Sequence, residues 1–477
     1  VTPSVADLRA LWPELIVAGA ALVIMVWGTF MAQDRQSPLR WATSLALIAA
    51  LSETVALGAD ARTLFGGMYS RDAAALVLQT IALGGAVMAV WLSGDYVERT
   101  RLEAGEFYAL VLVAALGTMV MAAGSDLIMI FLGLETLSIP LYVLAAYARD
   151  DLRSQEAGMK YFLLGAFSSV FFLYGIALIY GVTGSTSLVR LGAVAASDSI
   201  MLRIGIGLLL IGLAFKAAVV PFHAWAPDVY EGAPLPVTAY MSVIAKVGAF
   251  AALLRVFPGT LGAQTAQWAG ALALLSILTM VLGNFAALLQ TNLKRLLAYS
   301  SIAHTGFMMI GVAAGTRQGA WGVAFYLFAY TFMTLGAFAV LLMLERRGEE
   351  ADQITDLTGL ASRSPSLAAA MAVCMVSLAG LPPTAGFIAK FYVFAAALDA
   401  GQTALAVLGV LASVVSAYFY LRVAYTMFTG EPQGDVSFAG GRWVAAALAV
   451  AVIGVLALGV FPAPVTAFVQ QLGQALR

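Results

Sequence analysis

Cysteine, histidine, lysine and charge of either sign are all scarce in this chain, and each scarcity removes a class of function. The single cysteine, Cys374, lies in an apolar run. That excludes a disulfide within the chain and an all-cysteine iron–sulfur site. The two histidines, His223 and His304, are too few for an ordinary zinc site, so no metal centre is expected. Charged residues make up 11% of the chain and the formal net charge is -1, whereas a soluble domain carries roughly 25% charge. Nucleic acid is therefore not expected as a partner. No Gly-rich phosphate loop follows a strand pattern, so no nucleotide or cofactor-binding site is expected here.

Apolar sequence fills the space. The chain is 62% hydrophobic, and runs of roughly 17 to 25 apolar residues are long enough to cross a bilayer as helices. About fourteen can be placed. They begin near Leu15, Trp41, Ala73, Phe107, Asp126, Ala157, Met201, Pro236, Trp268, Leu296, Ala320, Leu367, Ala404 and Trp443. The first run has no charged leader or small-residue cleavage site before it and reads as a retained helix. The expected fold class is an all-α polytopic membrane protein, with lipid as its surroundings. An even helix number puts both termini on one side. Odd-numbered loops hold twelve Lys/Arg, against eight in the even-numbered loops and termini. The positive-inside bias then places both termini outside, on the periplasmic side of a bacterial inner membrane.

Two segments are interrupted. The seventh runs into Lys216-Ala-Ala-Val-Val-Pro221-Phe-His223, and the twelfth contains Gly380-Leu-Pro382-Pro383-Thr-Ala-Gly386 followed by Lys390. Proline removes a helical hydrogen bond and clashes with the preceding turn. Broken helices at membrane depth line cavities or are buried in protein, and a matched pair of them points to a transport site. The breaks lie five helices apart. This spacing predicts two inverted five-helix repeats, helices 4–8 over 106–257 and helices 9–13 over 266–430. Three helices precede them in 1–105 and a fourteenth follows in 441–477.

Of twenty-five basic residues only five are lysine, and Lys160, Lys216, Lys246 and Lys390 all fall inside apolar runs. Lys294 sits at a segment edge beside Arg295. Arginine holds its proton, whereas a buried lysine can release one near neutral pH. An ionisable group at membrane depth is costly and marks a functional site by default. Glu135 lies nine residues past Asp126, roughly 13 Å along a helix, and is the natural partner for Lys216. Lys246, midway between Pro236 and Arg255, and Lys390, beyond the double-proline break, complete a row of three buried lysines.

Lys160 follows Glu156 by four residues, a favourable helix pair. It is read either as a structural ion pair or as tuning Lys216. His304 stands among Tyr299, Ser300, Ser301 and Thr305 and is a candidate proton shuttle. His223 is a weaker one. Asp228 and Glu231 are placed in a loop that organises entry to the eighth helix.

Phe215-Lys216-Ala-Ala-Val-Val-Pro221-Phe-His223-Ala-Trp225-Ala-Pro227-Asp228 resembles a signature of the antiporter-like membrane subunits of respiratory complex I. Leu293-Lys294-Arg295-Leu-Leu-Ala-Tyr299-Ser300-Ser301-Ile-Ala-His304 resembles a second. Gly380-Leu381-Pro382-Pro383 with Gly386-Phe387 and Lys390-Phe391 resembles a third. Within that family, lysine at position 390 disfavours one branch, where glutamate is typical. The absence of a long lateral helix disfavours another.

The resemblance covers essentially the whole chain. It implies a proton-translocating subunit of NADH:quinone oxidoreductase, enzymatic only as part of that complex. It also implies a relay of Glu135, Lys216, Lys246, His304 and Lys390. FMN, iron–sulfur clusters and quinone are implied for partner subunits, and the other membrane subunits of complex I, antiporter-like ones included, for neighbours. The alternative is a subunit of a multi-subunit cation/proton antiporter.

Overall fold

A computed structural model describes residues 5–32, 36–60, 62–195, 199–346, 349–432 and 436–475. The helices in order are α1 (Val5–Ala10), α2 (Trp12–Phe30), α3 (Ser37–Leu57), α4 (Ala73–Arg99), α5 (Ala104–Ala123), α6 (Leu127–Ala145) and α7 (Leu152–Thr183). Then come α8 (Leu188–Val194), α9 (Ile200–Ala217), α10 (Trp225–Gly232), α11 (Leu235–Leu254), α12 (Thr265–Leu288), α13 (Leu293–Ala313) and α14 (Arg317–Leu342). The chain continues through α15 (Leu360–Arg363), α16 (Pro365–Ala379), α17 (Ala385–Asp399), α18 (Thr403–Phe428), α19 (Arg442–Val460) and α20 (Ala463–Ala475). Five short strands lie in the connections. β1 (Arg62–Leu64) pairs antiparallel with β2 (Tyr69–Arg71), and β3 (Leu344–Arg346) pairs with both β4 (Glu349–Glu350) and β5 (Val436–Phe438).

Twelve helices among the described residues are long and apolar enough to cross a membrane. The expected fourteen are reached with α3, whose 21 residues are diluted by Arg40 and Glu53, and with the broken pair α16–α17. Polar residues at helix starts set the boundaries. Asp72, Asp126, Ser199, Asn292 and Thr316 each accept a backbone N–H of the first turn, satisfying donors that a helix start leaves unpaired. The amphipathic α20 was not among the expected segments. It packs along α14 and α4.

The crossing helices α5, α6, α7, α9 (with α10 beyond its break) and α11 make contacts that match those of α12, α13, α14, the broken pair α16–α17, and α18. α5 lies along α6 as α12 lies along α13. α7 holds α9 and α10 as α14 holds α16 and α17. In each set, glycines let the first two helices touch. A Cβ on Gly117 would lie 2.2 Å from the Leu137 nitrogen, and one on Gly283 2.7 Å from the Ala303 nitrogen. Every residue of α11 is buried, and so are nearly all of α13 and α14. These three form the axis of the molecule. Large apolar side chains on α2, α7 and α18 face outward, as they must in lipid.

Both predicted breaks are present. α9 ends where Ala218 takes φ 59, and helix resumes at Trp225. A left-handed alanine costs about 1–2 kcal/mol, an observed strain at the interruption. α16 ends on Gly380 at φ 82, which glycine tolerates.

Candidate functional site

Lys216, on the last turn of α9, is 2% exposed. Its Nζ donates to Ser138 Oγ at 2.8 Å and to the Tyr161 hydroxyl at 3.2 Å. It also lies over the rings of Tyr142 and Tyr161. Glu135, half-buried on α6, accepts a hydrogen bond from Ser169 of α7. The expected direct pairing of Lys216 with Glu135 is therefore not made. A tight crevice lined by Ser138, Ser168 and Ser169 touches Lys216, so hydroxyls stand where an ion pair was anticipated. Ser138 was legible in principle, being three residues past Glu135 and on the same helix face.

Lys246 projects from the middle of α11 and is 3% exposed. It donates to the Ser301 carbonyl at 2.8 Å and to the Thr305 hydroxyl, both on α13. Thr305 Oγ1 in turn donates to the Ala217 carbonyl at 2.8 Å. That carbonyl is freed by the end of α9, next to Lys216. The break thus joins the first lysine's helix to the second lysine. Thr279 of α12 accepts from the Val220 N–H at 3.1 Å and ties the other flank of the break.

His304 is one turn along α13 and 1% exposed. Its two ring nitrogens meet the hydroxyls of Tyr326 at 2.7 Å and Tyr420 at 3.1 Å. Tyr420 also bonds Ser300. Lys390, on α17 and 3% exposed, donates to Ser413 Oγ at 2.8 Å and to the carbonyls of Ala379 at 2.9 Å and Leu378 at 3.3 Å. Those carbonyls belong to the last turn of α16. The Phe307 ring lies between the two ends, 6.0 Å from the His304 ring and 4.5 Å from the Lys390 ammonium. The Thr305 hydroxyl thus links the α9 break beside Lys216 to Lys246, whereas His304 bonds its own pair of tyrosines and a phenylalanine ring separates it from Lys390. The bridging tyrosines and Ser413 carried no sequence signal that separates them from packing residues, whereas Thr305 stood among the hydroxyls noted around His304.

His223 lies in the first break, half-buried, with its Nδ1 buried and unpartnered. Pro221 is exposed there, and Pro382 and Pro383 occupy the second break. Lys160, its side chain 41% exposed, is in an ion-pair cluster. It bridges Glu156 at 2.7 Å and Asp228 at 2.8 Å. Asp228 and Glu231 are on the short helix α10, not in a loop, and both receive Arg295 at 2.8 Å. The helical turn sets the two carboxylates three residues apart on one face.

Lys294 lies at the start of α13, the segment edge where it was expected, but is buried there, only 3% exposed. It pairs with Glu350 at 2.9 Å and donates to the Ala233 carbonyl at 2.7 Å. A polar cavity of about 670 Å3 opens above it, lined by Asp150, Asp151, Glu231, Glu349 and Glu350 among others. Beneath it, Tyr230 bonds Ser301, whose carbonyl holds Lys246.

The family described as NADH:quinone oxidoreductase/Mrp antiporter, TM, matches residues 124–416. NADH-quinone oxidoreductase subunit N of Trichlorobacter lovleyi is 44% identical over 471 residues, covering 98% of this chain and 96% of that protein. Its counterpart from Chloroflexus aggregans is 46% identical, covering 98% and 97%. A chain of respiratory complex I from Thermus thermophilus with bound aureothin superposes with a TM-score of 0.82 at 40% identity, over 95% of this chain and 98% of that one. A chain of the Mrp complex from Dietzia sp. DQ12-45-1b shares the fold, with a TM-score of 0.83 at 24% identity and coverage of 98% and 97%.

Proposed function

This chain belongs to the NADH:quinone oxidoreductase/Mrp antiporter membrane family, in its subunit N branch, and from that membership we propose that it is a proton-translocating membrane subunit of NADH:quinone oxidoreductase. It works as part of respiratory complex I in a bacterial inner membrane, beside that complex's other membrane subunits. FMN, iron–sulfur clusters and quinone belong to partner subunits. The 44% and 46% identities to subunit N over nearly whole chains favour this reading over the antiporter-subunit alternative.

The proton path runs through Lys216, Lys246, His304 and Lys390, with Glu135 at its outer end. The observation that carries it is the Thr305 hydroxyl, shared between the Lys246 ammonium and the carbonyl at the α9 break. A lysine held by neutral oxygens can hand over its proton without breaking an ion pair, because no buried carboxylate clamps the charge. His304, with a tyrosine hydroxyl on each ring nitrogen, can take a proton on one nitrogen and release one from the other. The cavity above Lys294 is the water-filled mouth on one side, and Tyr230 and Ser301 lead from it to Lys246. The repeats span 106–257 and 266–430, supported by the matching helix pairings. Both termini face the periplasm, supported by the excess of Lys/Arg in the opposite loops.

The test is Lys216→Ala in native membranes, read as assembly of the complex, NADH:quinone turnover and proton pumping together. Normal assembly with turnover and pumping lost is expected. Normal assembly with normal pumping would remove Lys216 from the path.

A further inference from the structure

Away from the lysine row, a cleft of about 260 Å3 runs between α3, α4, α14 and α19. Its floor is Gly84 and Gly85 of α4, and its walls include Ile48 and Leu51 of α3, Phe328 and Phe332 of α14, and Val450 of α19. Ile48 and Val450 are each 40% exposed, so the cleft opens sideways to the membrane. A Cβ on Gly84 would meet nothing within 4 Å. From Trp91 to Thr80 the lining runs over eleven helical steps of α4, roughly 16 Å at the helical rise. That is about half of a 30 Å hydrocarbon core, the depth of one leaflet.

The mouth has different chemistry. Trp41 of α3 and Trp443 of α19 meet edge to face at 4.5 Å, with Trp91 6.0 Å from Trp443. The guanidiniums of Arg40 and Arg442 lie over the Trp443 ring at 6.0 and 5.5 Å. The indole N–H of Trp443 is buried and has no acceptor. Asp95 and Glu98 also face this corner, at 3.5 and 3.8 Å from Arg40. Tryptophan and arginine at headgroup depth suit the membrane interface, and basic pockets between helices bind phosphate headgroups.

We propose that this cleft is a built site for one phospholipid, its acyl chain seated on Gly84 and Gly85 and its phosphate held by Arg442 and the Trp443 indole N–H. The apolar slot alone would suit any helix or lipid. The unpaired indole donor, Arg442 and the one-leaflet depth select a phosphate-headed chain. The lipid fills the gap between α3 and α19, which meet through the Trp41–Trp443 pair at its mouth. It thereby fastens the N-terminal helices to α14 and to the last crossing helix, α19.

The experiment uses the assembled complex in lipid nanodiscs with phosphatidylglycerol carrying a mid-chain diazirine. After washing and photolysis, label is mapped by peptide mass spectrometry. The expected result is retained label on residues 84–91 and 328–332, reduced tenfold or more in Gly84→Leu and several-fold in Arg442→Gln. Label at Ile453, which is 66% exposed on α19, is the same in the variants as in the natural chain. Should Gly84→Leu not assemble, Ile48→Trp blocks the same cleft from its exposed wall and is read the same way. Absent label in the cleft, or cleft label that washes out with that at Ile453, overturns the proposal. So does label that ignores both cleft-filling variants.

Discussion

Lys390 rests on the carbonyl of Ala379, 2.9 Å away, at the point where α16 has run out of donors of its own. The second helix break therefore makes an acceptor for the buried ammonium. The first break works differently. Its freed carbonyl, on Ala217, takes a proton donor from Thr305, and Lys216 turns to Ser138 and Tyr161 instead. Two similar interruptions thus serve two lysines in unlike ways.

Gly380 closes over that second site. A Cβ there would lie 2.7 Å from the Lys390 side chain, and φ is 82. Gly380→Ala is expected to cost about 1–2 kcal/mol in backbone strain alone and to displace the lysine. Turnover of the assembled complex should fall at least tenfold, measured against the amount of complex on a native gel.

Thr305→Val keeps the shape of the side chain and removes its hydroxyl. The link between the α9 break and Lys246 is then lost. Proton pumping and coupled turnover are expected to drop several-fold with assembly intact, and Thr305→Ser should restore most of the loss. A Val variant that pumps normally would take Thr305 out of the path.

Lys294 and Glu350 form a partly buried pair, side chains 3% and 28% exposed. Lys294→Ala removes the donor to Glu350 Oε2 and to the Ala233 carbonyl, while Glu350 Oε1 keeps the Tyr96 hydroxyl and the Leu235 N–H. Orphaned polar groups of this kind cost about 1–3 kcal/mol. A lowered thermal midpoint of the detergent-purified complex is expected, and Lys294→Arg should not fully replace it, because a guanidinium has different reach and geometry.

Asp72 lies outside the spanning helices and caps α4 while receiving both Arg255 amino groups, at 2.8 and 3.0 Å. Burial pushes its carboxyl up, but Arg255 and the hydrogen bonds prevail and hold it below the ordinary 3.8. A carboxyl lowered in the folded state stabilises above its unfolded value, and that contribution disappears as pH falls through the folded value. Asp72→Asn should therefore be less stable than the natural chain at pH 5 to 8. The gap in thermal midpoint should close as the pH is taken below 3.8. A gap that stays constant with pH would show that Asp72 acts through its capping bond alone.

Gly117→Ala sets a methyl 2.2 Å from the Leu137 backbone nitrogen, whereas Gly207→Ala meets nothing within 4 Å. The first should force α5 from α6 and lower the yield of assembled complex. The second should leave yield and turnover unchanged, and a comparison of the two on one native gel checks both.

The sequence by itself determined the class of the molecule, most of its crossing helices, both breaks and the buried lysines. These are consequences of local chemistry. An apolar run of bilayer length must be helical to satisfy its backbone, proline must interrupt it, and a lysine inside it must find oxygens. Tertiary structure alone decided which oxygens. Glu135 is held by Ser169 rather than by Lys216, because neighbouring hydroxyls on α6 and α7 lie nearer to each charge than the charges lie to one another. Asp228 and Glu231 are helical because the chain resumes a helix after the break, which proline-rich sequence conceals. Lys294 is buried because Glu350, 56 residues away, folds over it, and no local pattern records a contact at that separation.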